Sequence, residues 1–391
     1  MIYQEPELTD ADLHVLGLIR EQREKLSIYT NHNPRRWFGT LRKATLARAI
    51  RGSNSIEGYD ASLDEAMAAV EQDEPPLDEK TETWLAINSY RSAMTYILQT
   101  CQDPTFEFGK QFLKSLHFMM LQWDMGKSPG QWRSREIFVV DDRHPDPVYV
   151  APDHEQVDAL IDELVTYIRT NTDTSVLIKA AMAHLNLTMI HPFRDGNGRM
   201  ARALQTHVLS QDGLNHPIFS SIEEWLGRNT PEYYKALEEM SDGTWSPQYG
   251  TLSWIRFCLT AHYQQALTTL RRHEEYDALF ERIDRVARDS GLHERMTIPL
   301  FDCALGMRMT NSRYQREAEV SVHVATRDLK QLVDSGFLVP HGEKRGRHYF
   351  GSDILRDHRL KTRIRKPVPN PYAAYVSSDP LPLDEPKLPG F

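Results

Sequence analysis

His191, Asp195, Gly196, Asn197, Gly198, Arg199 and Arg202 fall within twelve consecutive residues, and each is of a type that serves phosphate chemistry. Gly196 and Gly198 lack a Cβ, so the backbone N–H groups around them can converge on an anion. A helix beginning near Asn197 would aim its positive end at the same anion. Arg199 and Arg202, three apart, project from neighbouring points of that helix's first turn. Asp195 offers a hard oxygen suited to a magnesium ion that bridges phosphates. His191 can take a proton from a hydroxyl near neutral pH. Read from the residues, this is a nucleoside-triphosphate site with a general base beside it.

The whole string, His191-Pro192-Phe193-Arg194-Asp195-Gly196-Asn197-Gly198-Arg199-Met200-Ala201-Arg202, resembles the Fic-family signature HxFx(D/E)GNGRxxR at every specified position. The resemblance implies transfer of AMP from ATP to a protein hydroxyl. It makes His191 the base and Asp195 the Mg2+ ligand. It also makes Asp195, Gly196, Asn197, Gly198, Arg199, Met200, Ala201 and Arg202 the nucleotide-binding run. Within that run, Asn197 and the glycine amides would hold the α- and β-phosphates. Arg199 would meet the β-phosphate region and Arg202 the γ-phosphate, with Phe193 anchoring the loop. Such a transfer needs positioning and charge neutralisation more than covalent help. Kinase branches of the family lack the second glycine, so Gly198 points to nucleotidyl transfer. Tyr233 and Tyr234 resemble a pair that many members place near the base and ribose, and both are candidates for adenosine contact.

Far upstream, Ser53-Asn54-Ser55-Ile56-Glu57-Gly58 resembles the family's inhibitory motif, (S/T)xxxE(G/N). Ser53 and Glu57 are four apart and share one side of a helical turn. The resemblance implies that Glu57 pairs with Arg202 in place of the γ-phosphate, a charge-assisted contact. Ser53, Glu57 and Gly58 are therefore the expected inhibitory residues.

Most of the chain reads helical, with apolar residues at helical spacing over 9–26, 41–53, 63–70, 81–98, 108–122 and 173–190. The last of these delivers the catalytic loop, and His184 on its apolar side reads as a core histidine. The acidic stretch 71–79, with Pro75 and Pro76, reads as a break. Ile137-Phe138-Val139-Val140 and Val148-Tyr149-Val150 are β-type runs around a turn-rich segment, a hairpin signal. This hairpin resembles the Fic flap, which registers the target as an added strand. Ile137, Phe138, Val139 and Val140 are then its target-facing residues. The family flap usually has a small residue where Val140 stands.

Towards the C-terminus, two short helices over 311–319 and 321–335 precede two β-runs around Gly342–Gly346, an order that resembles a winged helix. From His341 to Lys366, nine Lys or Arg oppose three Asp or Glu. DNA or a protein could dock there. The expected fold class is mainly α: an all-helical Fic core with a β-hairpin flap, an N-terminal helical region and a C-terminal winged helix. The expected divisions are 1–100 with the inhibitory helix, 101–262 as the catalytic core, 263–292 as a connecting helix, 293–355 as the winged helix, and 356–391 as a basic then proline-rich tail.

The chain has 391 residues, 40% hydrophobic and 26% charged, ordinary for a globular protein. No apolar run nears the ~20 residues of a membrane span. Three scattered cysteines give no disulfide framework or zinc spacing, and the acidic N-terminus lacks a signal peptide's order. Cytoplasm is the expected location. A net charge of −9 disfavours nucleic-acid binding by the surface at large, though not by a local patch. The leading expectation is an autoinhibited protein adenylyltransferase using ATP and Mg2+ on a protein Ser, Thr or Tyr, or on itself, with no membrane partner. Removal of AMP, or a DNA-binding regulator whose Fic domain senses nucleotide, are the alternatives. A homodimer is left open.

Overall fold

A computed structural model describes residues 1–31, 36–73, 81–139, 148–213, 216–343 and 346–373. Val140, the flap turn 141–147, the Pro75-Pro76 break and most of the C-terminal tail lie outside the described residues. The first half holds α1 (Asp10–Asn31), α2 (Phe38–Ser55), α3 (Leu63–Glu71), α4 (Glu82–Thr100), α5 (Lys110–Leu121), strands β1 (Phe138–Val139) and β2 (Tyr149–Val150), and α6 (Val157–Thr170). Then come α7 (Val176–Ile190), α8 (Asn197–Leu209), α9 (Glu223–Arg228), α10 (Thr230–Glu238) and α11 (Leu252–Asp289). The C-terminal part is α12 (Thr297–Ala304), β3 (Met309–Thr310), α13 (Asn311–Ala318), α14 (Val322–Asp334), β4 (Leu338–His341), β5 (His348–Gly351) and α15 (Asp353–Thr362). The chain is mainly helical, as the spacing predicts.

α7 is the centre of the first core. Twelve of its fifteen residues are buried, from Leu177 to Ile190, because other elements cover it on every side. α8 packs against it after a short loop, and α1, α4, α5, α6 and the first turns of α11 complete the layer around them. Ile2 and Tyr3 are buried in this same core, so the N-terminal region does not stand apart from the catalytic one. α6 has no counterpart among the expected elements. α11 extends the expected connecting helix back to Leu252, spans about 57 Å at ~1.5 Å per residue, and enters both cores. The second core gathers α12 to α15 around Tyr276, Leu279 and Ile283 of α11.

α2 links the two. Its last turn crosses α9 so closely that a Cβ on Gly52 would strike the backbone of Glu223, and one on Gly227 would lie 2.6 Å from Gly52 Cα. Near its start, the Thr40 hydroxyl donates to Asp302 of α12 at 2.9 Å, and Lys43 pairs with Glu71 at 2.9 Å and Glu317 at 3.1 Å. Arg313 pairs with Asp302 and with Glu317. Each charge of this cluster faces an opposite one, the condition under which buried charge persists.

The C-terminal sheet runs β3-β5-β4, all antiparallel, with α13 and α14 preceding the β4–β5 hairpin. On α14, the exposed cations Arg327 and Lys330 pair with Asp328 and Asp334. Among the described residues no helix is long and apolar enough to cross a membrane.

Candidate active site

α7 ends at His191, whose φ of 53° puts it in the left-handed region and turns the chain sharply into the loop. Its Nδ1–H donates to the Thr188 carbonyl at 3.1 Å, which leaves the Nε2 lone pair free to accept a proton. Burial lowers the imidazole's pKa below its ordinary value, partly offset by the Thr188 carbonyl, and the neighbouring Arg133 charge lowers it further. The group is thus held neutral and base-competent near pH 7.

The loop after it is built as a rigid tray. Phe193 is fully buried and stacks on His117 with ring centroids 3.7 Å apart. Asn197 ties the loop across itself: its Oδ1 accepts from Phe193 N–H and its Nδ2 donates to Phe193 O, both at 2.9 Å. His117 Nε2 donates to the Asp195 carbonyl at 2.9 Å while its Nδ1 accepts from Gly130 N–H at 2.8 Å. Arg133 donates to the His191 carbonyl at 2.9 Å and to Pro152 O, joining the tray to the base of the flap. Gly196 caps α8 at φ 77°, a conformation that favours glycine. Beyond it, the first-turn amides of α8 have no intrahelical acceptor and face the cradle.

The two arginines carry the electrostatics. Arg199 and Arg202 are each 1% exposed, and Arg199 Nε and Nη1 and Arg202 Nη1 meet no hydrogen-bond partner among the described residues. Buried cationic donors left open are costly unless an anion meets them. Arg202 Nη2 donates to Glu57 Oε1 at 2.6 Å and to the Ser53 carbonyl at 2.9 Å, and Nε donates to the Ser53 hydroxyl at 2.8 Å. Burial alone would weaken this guanidinium's charge, but the Glu57 carboxylate more than offsets it and raises the pKa. The carboxylate lies directly on the cradle, since a Cβ on Gly198 would run into Glu57 Oε1. Gly58, at φ 80°, follows Glu57 and turns the chain out of this segment.

A cavity of about 340 Å³ joins these parts. Glu57, His191, Asp195, Gly196, Asn197, Gly198, Arg202, Tyr233 and Tyr234 line it together with Ile137, Phe138 and Val139 of the flap. In the flap, Phe138 pairs with Val150 and Val139 with Tyr149. Val150 bridges Thr244 on its other side, which makes β1 the outer strand. The two tyrosines differ in their ties. Tyr233 is buried with its hydroxyl on His184 Nε2 at 2.9 Å, whereas the half-exposed Tyr234 donates to the Ile56 carbonyl at 3.1 Å. His184 also has Nδ1 on Gln205 Oε1 at 2.6 Å, a satisfied core histidine.

The structure corrects two expectations. Met200 and Ala201 are fully buried in the core and do not line the cavity, and Arg199 does not line it either, its guanidinium lying 5.1 Å from the Tyr59 ring, because helical rotation turns all three away from the face that presents Gly198 and Arg202. The Asn197 side chain is committed to Phe193, so only its backbone is left for a phosphate. Sequence reasoning also missed Lys127, whose Nζ is 2.8 Å from Asp195 Oδ2. Burial would raise the Asp195 pKa, but the hydrogen bond and charge of Lys127, with Arg199, outweigh it and keep the carboxylate ionised. That anion fits a divalent cation. Among the described residues no group of three or more His, Cys, Asp or Glu is placed to hold one, so its other ligands would be phosphate and water oxygens.

Residues 107–209 match the sequence profile of the Fic/DOC family. This stretch contains α7, the signature loop and α8. It is 26% identical over 246 residues to "Protein adenylyltransferase Fic" of Nematostella vectensis, covering 62% of this chain and 54% of that one. A "probable protein adenylyltransferase" of Aquifex aeolicus is 34% identical over 99 residues, 25% of this chain and 27% of its own. The chain thus spans about half or less of the length of these relatives. In structure, a Fic family protein from Desulfovibrio desulfuricans superposes with a TM-score of 0.57 at 18% identity, covering 90% of this chain and 98% of that one. Fic-1 from Caenorhabditis elegans superposes at 0.53, with 18% identity over 66% and 72%. These two establish the likeness of fold.

Proposed function

We propose that this protein is an adenylyltransferase that moves AMP from ATP to a Ser, Thr or Tyr hydroxyl of a protein, itself included, and that Glu57 holds it in check. The observation that carries the reading is the buried Arg202, with an open donor, and a neutral histidine lining one cavity with the Gly196–Gly198 loop between them. The names of the relatives support the same chemistry.

The triphosphate lies along the first turn of α8. Its oxygens take the Gly196–Gly198 amides, and the β- and γ-phosphates take Arg199 and Arg202. A magnesium ion held by Asp195 supplies charge neutralisation when bound. The flap's outer strand pairs with an extended target segment and presents its hydroxyl to His191 Nε2. His191 removes the proton as the oxygen forms its bond to the α-phosphorus. The bond to the pyrophosphate oxygen breaks, and AMP remains on the target. With Glu57 on Arg202, the γ-phosphate loses its seat and ATP cannot adopt the in-line pose. The C-terminal unit is read as a winged helix that docks on the rest of the chain through Asp302, Arg313 and Glu317. The paired cations of α14 give DNA no open basic stripe, so DNA binding is not part of the proposal.

The test is incubation with ATP labelled at the α-phosphate and magnesium, in the Glu57→Gly background. His191→Ala should lower transfer by about 10²–10⁴-fold, while nucleotide affinity, read by calorimetry, stays within a few-fold. Equal transfer with and without His191 would refute the assignment.

A further inference from the structure

Lys127 is a cation that the signature does not place at the site. It closes the short turn Met125–Lys127, which the Asp124 side chain caps by accepting from Gly126 N–H at 3.0 Å. Besides its 2.8 Å contact with Asp195 Oδ2, its ammonium donates to the Tyr59 hydroxyl at 3.2 Å and stands 5.1 Å from the Trp123 ring. Tyr59 follows Glu57 by two residues, and its ring lies 5.1 Å from the Arg199 guanidinium. The segment that reaches Arg202 through Glu57 therefore also covers Arg199 with a ring, and it is tied to Asp195 by way of Lys127.

Both carboxylate oxygens of Asp195 are engaged, Oδ1 by Gly196 N–H and Oδ2 by Lys127. An ammonium and a divalent cation on one carboxylate repel each other at short range in a half-buried site, where solvent screens them poorly. Resting on the nucleotide-site reading above, we propose that Lys127 is a positioning residue that holds Asp195 in the resting state where a divalent cation binds during transfer. Metal entry then requires the ammonium to leave Oδ2. Tyr59 sets how readily it leaves, because its hydroxyl is the ammonium's other partner. The metal concentration needed for transfer is thereby coupled to the position of the inhibitory segment.

The experiment uses the full chain in the Glu57→Gly background, with Mn2+ as the metal and α,β-methylene-ATP as the nucleotide. Calorimetry gives the nucleotide Kd without metal and with saturating Mn2+, and the ratio measures how much the metal strengthens binding. In Lys127→Met this ratio should rise about 2- to 5-fold over the parent, the size of one partly exposed ion pair. Lys127→Arg should keep the parental ratio, and Tyr59→Phe should raise it by a smaller factor. Thermal unfolding in parallel identifies a variant that fails to fold, and Tyr59→Phe, which removes one hydroxyl, then carries the test. A ratio that is unchanged or lower in both folded variants overturns the role of Lys127. No nucleotide binding by the parent at all would instead overturn the nucleotide-site reading.

Discussion

At the scale of single residues, environment decides what each group can do. His191 is the clearest case. Burial lowers its pKa from the usual value near 6.5, and a base works only while neutral, so activity is lost as pH falls through the lowered pKa. In Glu57→Gly, kcat/KM should stay level from pH 8 down to about 6.5 and fall only below that. A pH–rate profile with its acid limb above pH 7 would contradict the assignment. Gly198 makes a second case, because a methyl there meets Glu57 Oε1 and sits 3.1 Å from Arg202 Nη1. Gly198→Ala would expel the inhibitory carboxylate yet also fill the phosphate seat. Transfer should therefore drop by about 10²-fold relative to Glu57→Gly, and never exceed wild type, in the same labelling assay. The signature made His191, Asp195 and Arg202 legible in the sequence, since each fits its chemistry by type and spacing. Lys127, His117 and Arg133 were not legible. Each reaches the loop from another element, and nothing in its local pattern reports that.

At the scale of elements, the helix that carries Ser53 to Arg202 is placed by backbone contact as much as by charge. α2 was legible because its apolar residues keep helical spacing, and α3 shows a full capping box, Ser62 with Glu65. α6 keeps that spacing too, with Val157, Leu160, Ile161, Leu164, Val165 and Ile168 all buried, yet it begins without a side-chain cap to announce it. The crossing of α2 over α9 could not be read in advance, since Gly52 and Gly227 are far apart in sequence and look like ordinary helix glycines. Gly52→Ala forces a methyl against the Glu223 carbonyl, which no rotamer change relieves. It should cost about 1–3 kcal/mol of stability. It should also raise basal AMP transfer, because displacing α2 loosens Glu57 from Arg202. Chemical denaturation and the labelling assay read the two effects together. Unchanged stability and unchanged transfer would mean that the crossing does not hold the helix.

At the scale of the whole molecule, one core houses the signature loop while a second braces the start of α2, and α11 runs through both. The first core contains four buried histidines kept neutral. Burial lowers His117 and His207 to about 4 and His184 and His262 to about 3. Between those values and the unfolded value near 6.5, the unfolded chain binds the extra protons. Stability is then fully present above pH 6.5 and is lost as pH falls, by about 1.4 kcal/mol per unit for each group. The midpoint of thermal unfolding should accordingly drop steeply from pH 6.5 to 5, and a flat Tm over that range would exclude neutral burial of these groups. The central claim is that one carboxylate restrains an otherwise complete transferase, and its most direct test has an unusual sign. Substitutions in an active site ordinarily slow an enzyme. Here AMP transfer from α-labelled ATP should rise at least tenfold in Glu57→Gly over wild type, a gain expected when a charge-assisted contact of roughly 1.5–3 kcal/mol is removed from the competing state. Arg202→Ala should not share that gain, and Glu57→Gly with Arg202→Ala should behave as Arg202→Ala alone. Equal or lower transfer by Glu57→Gly, measured beside wild type, would contradict the account.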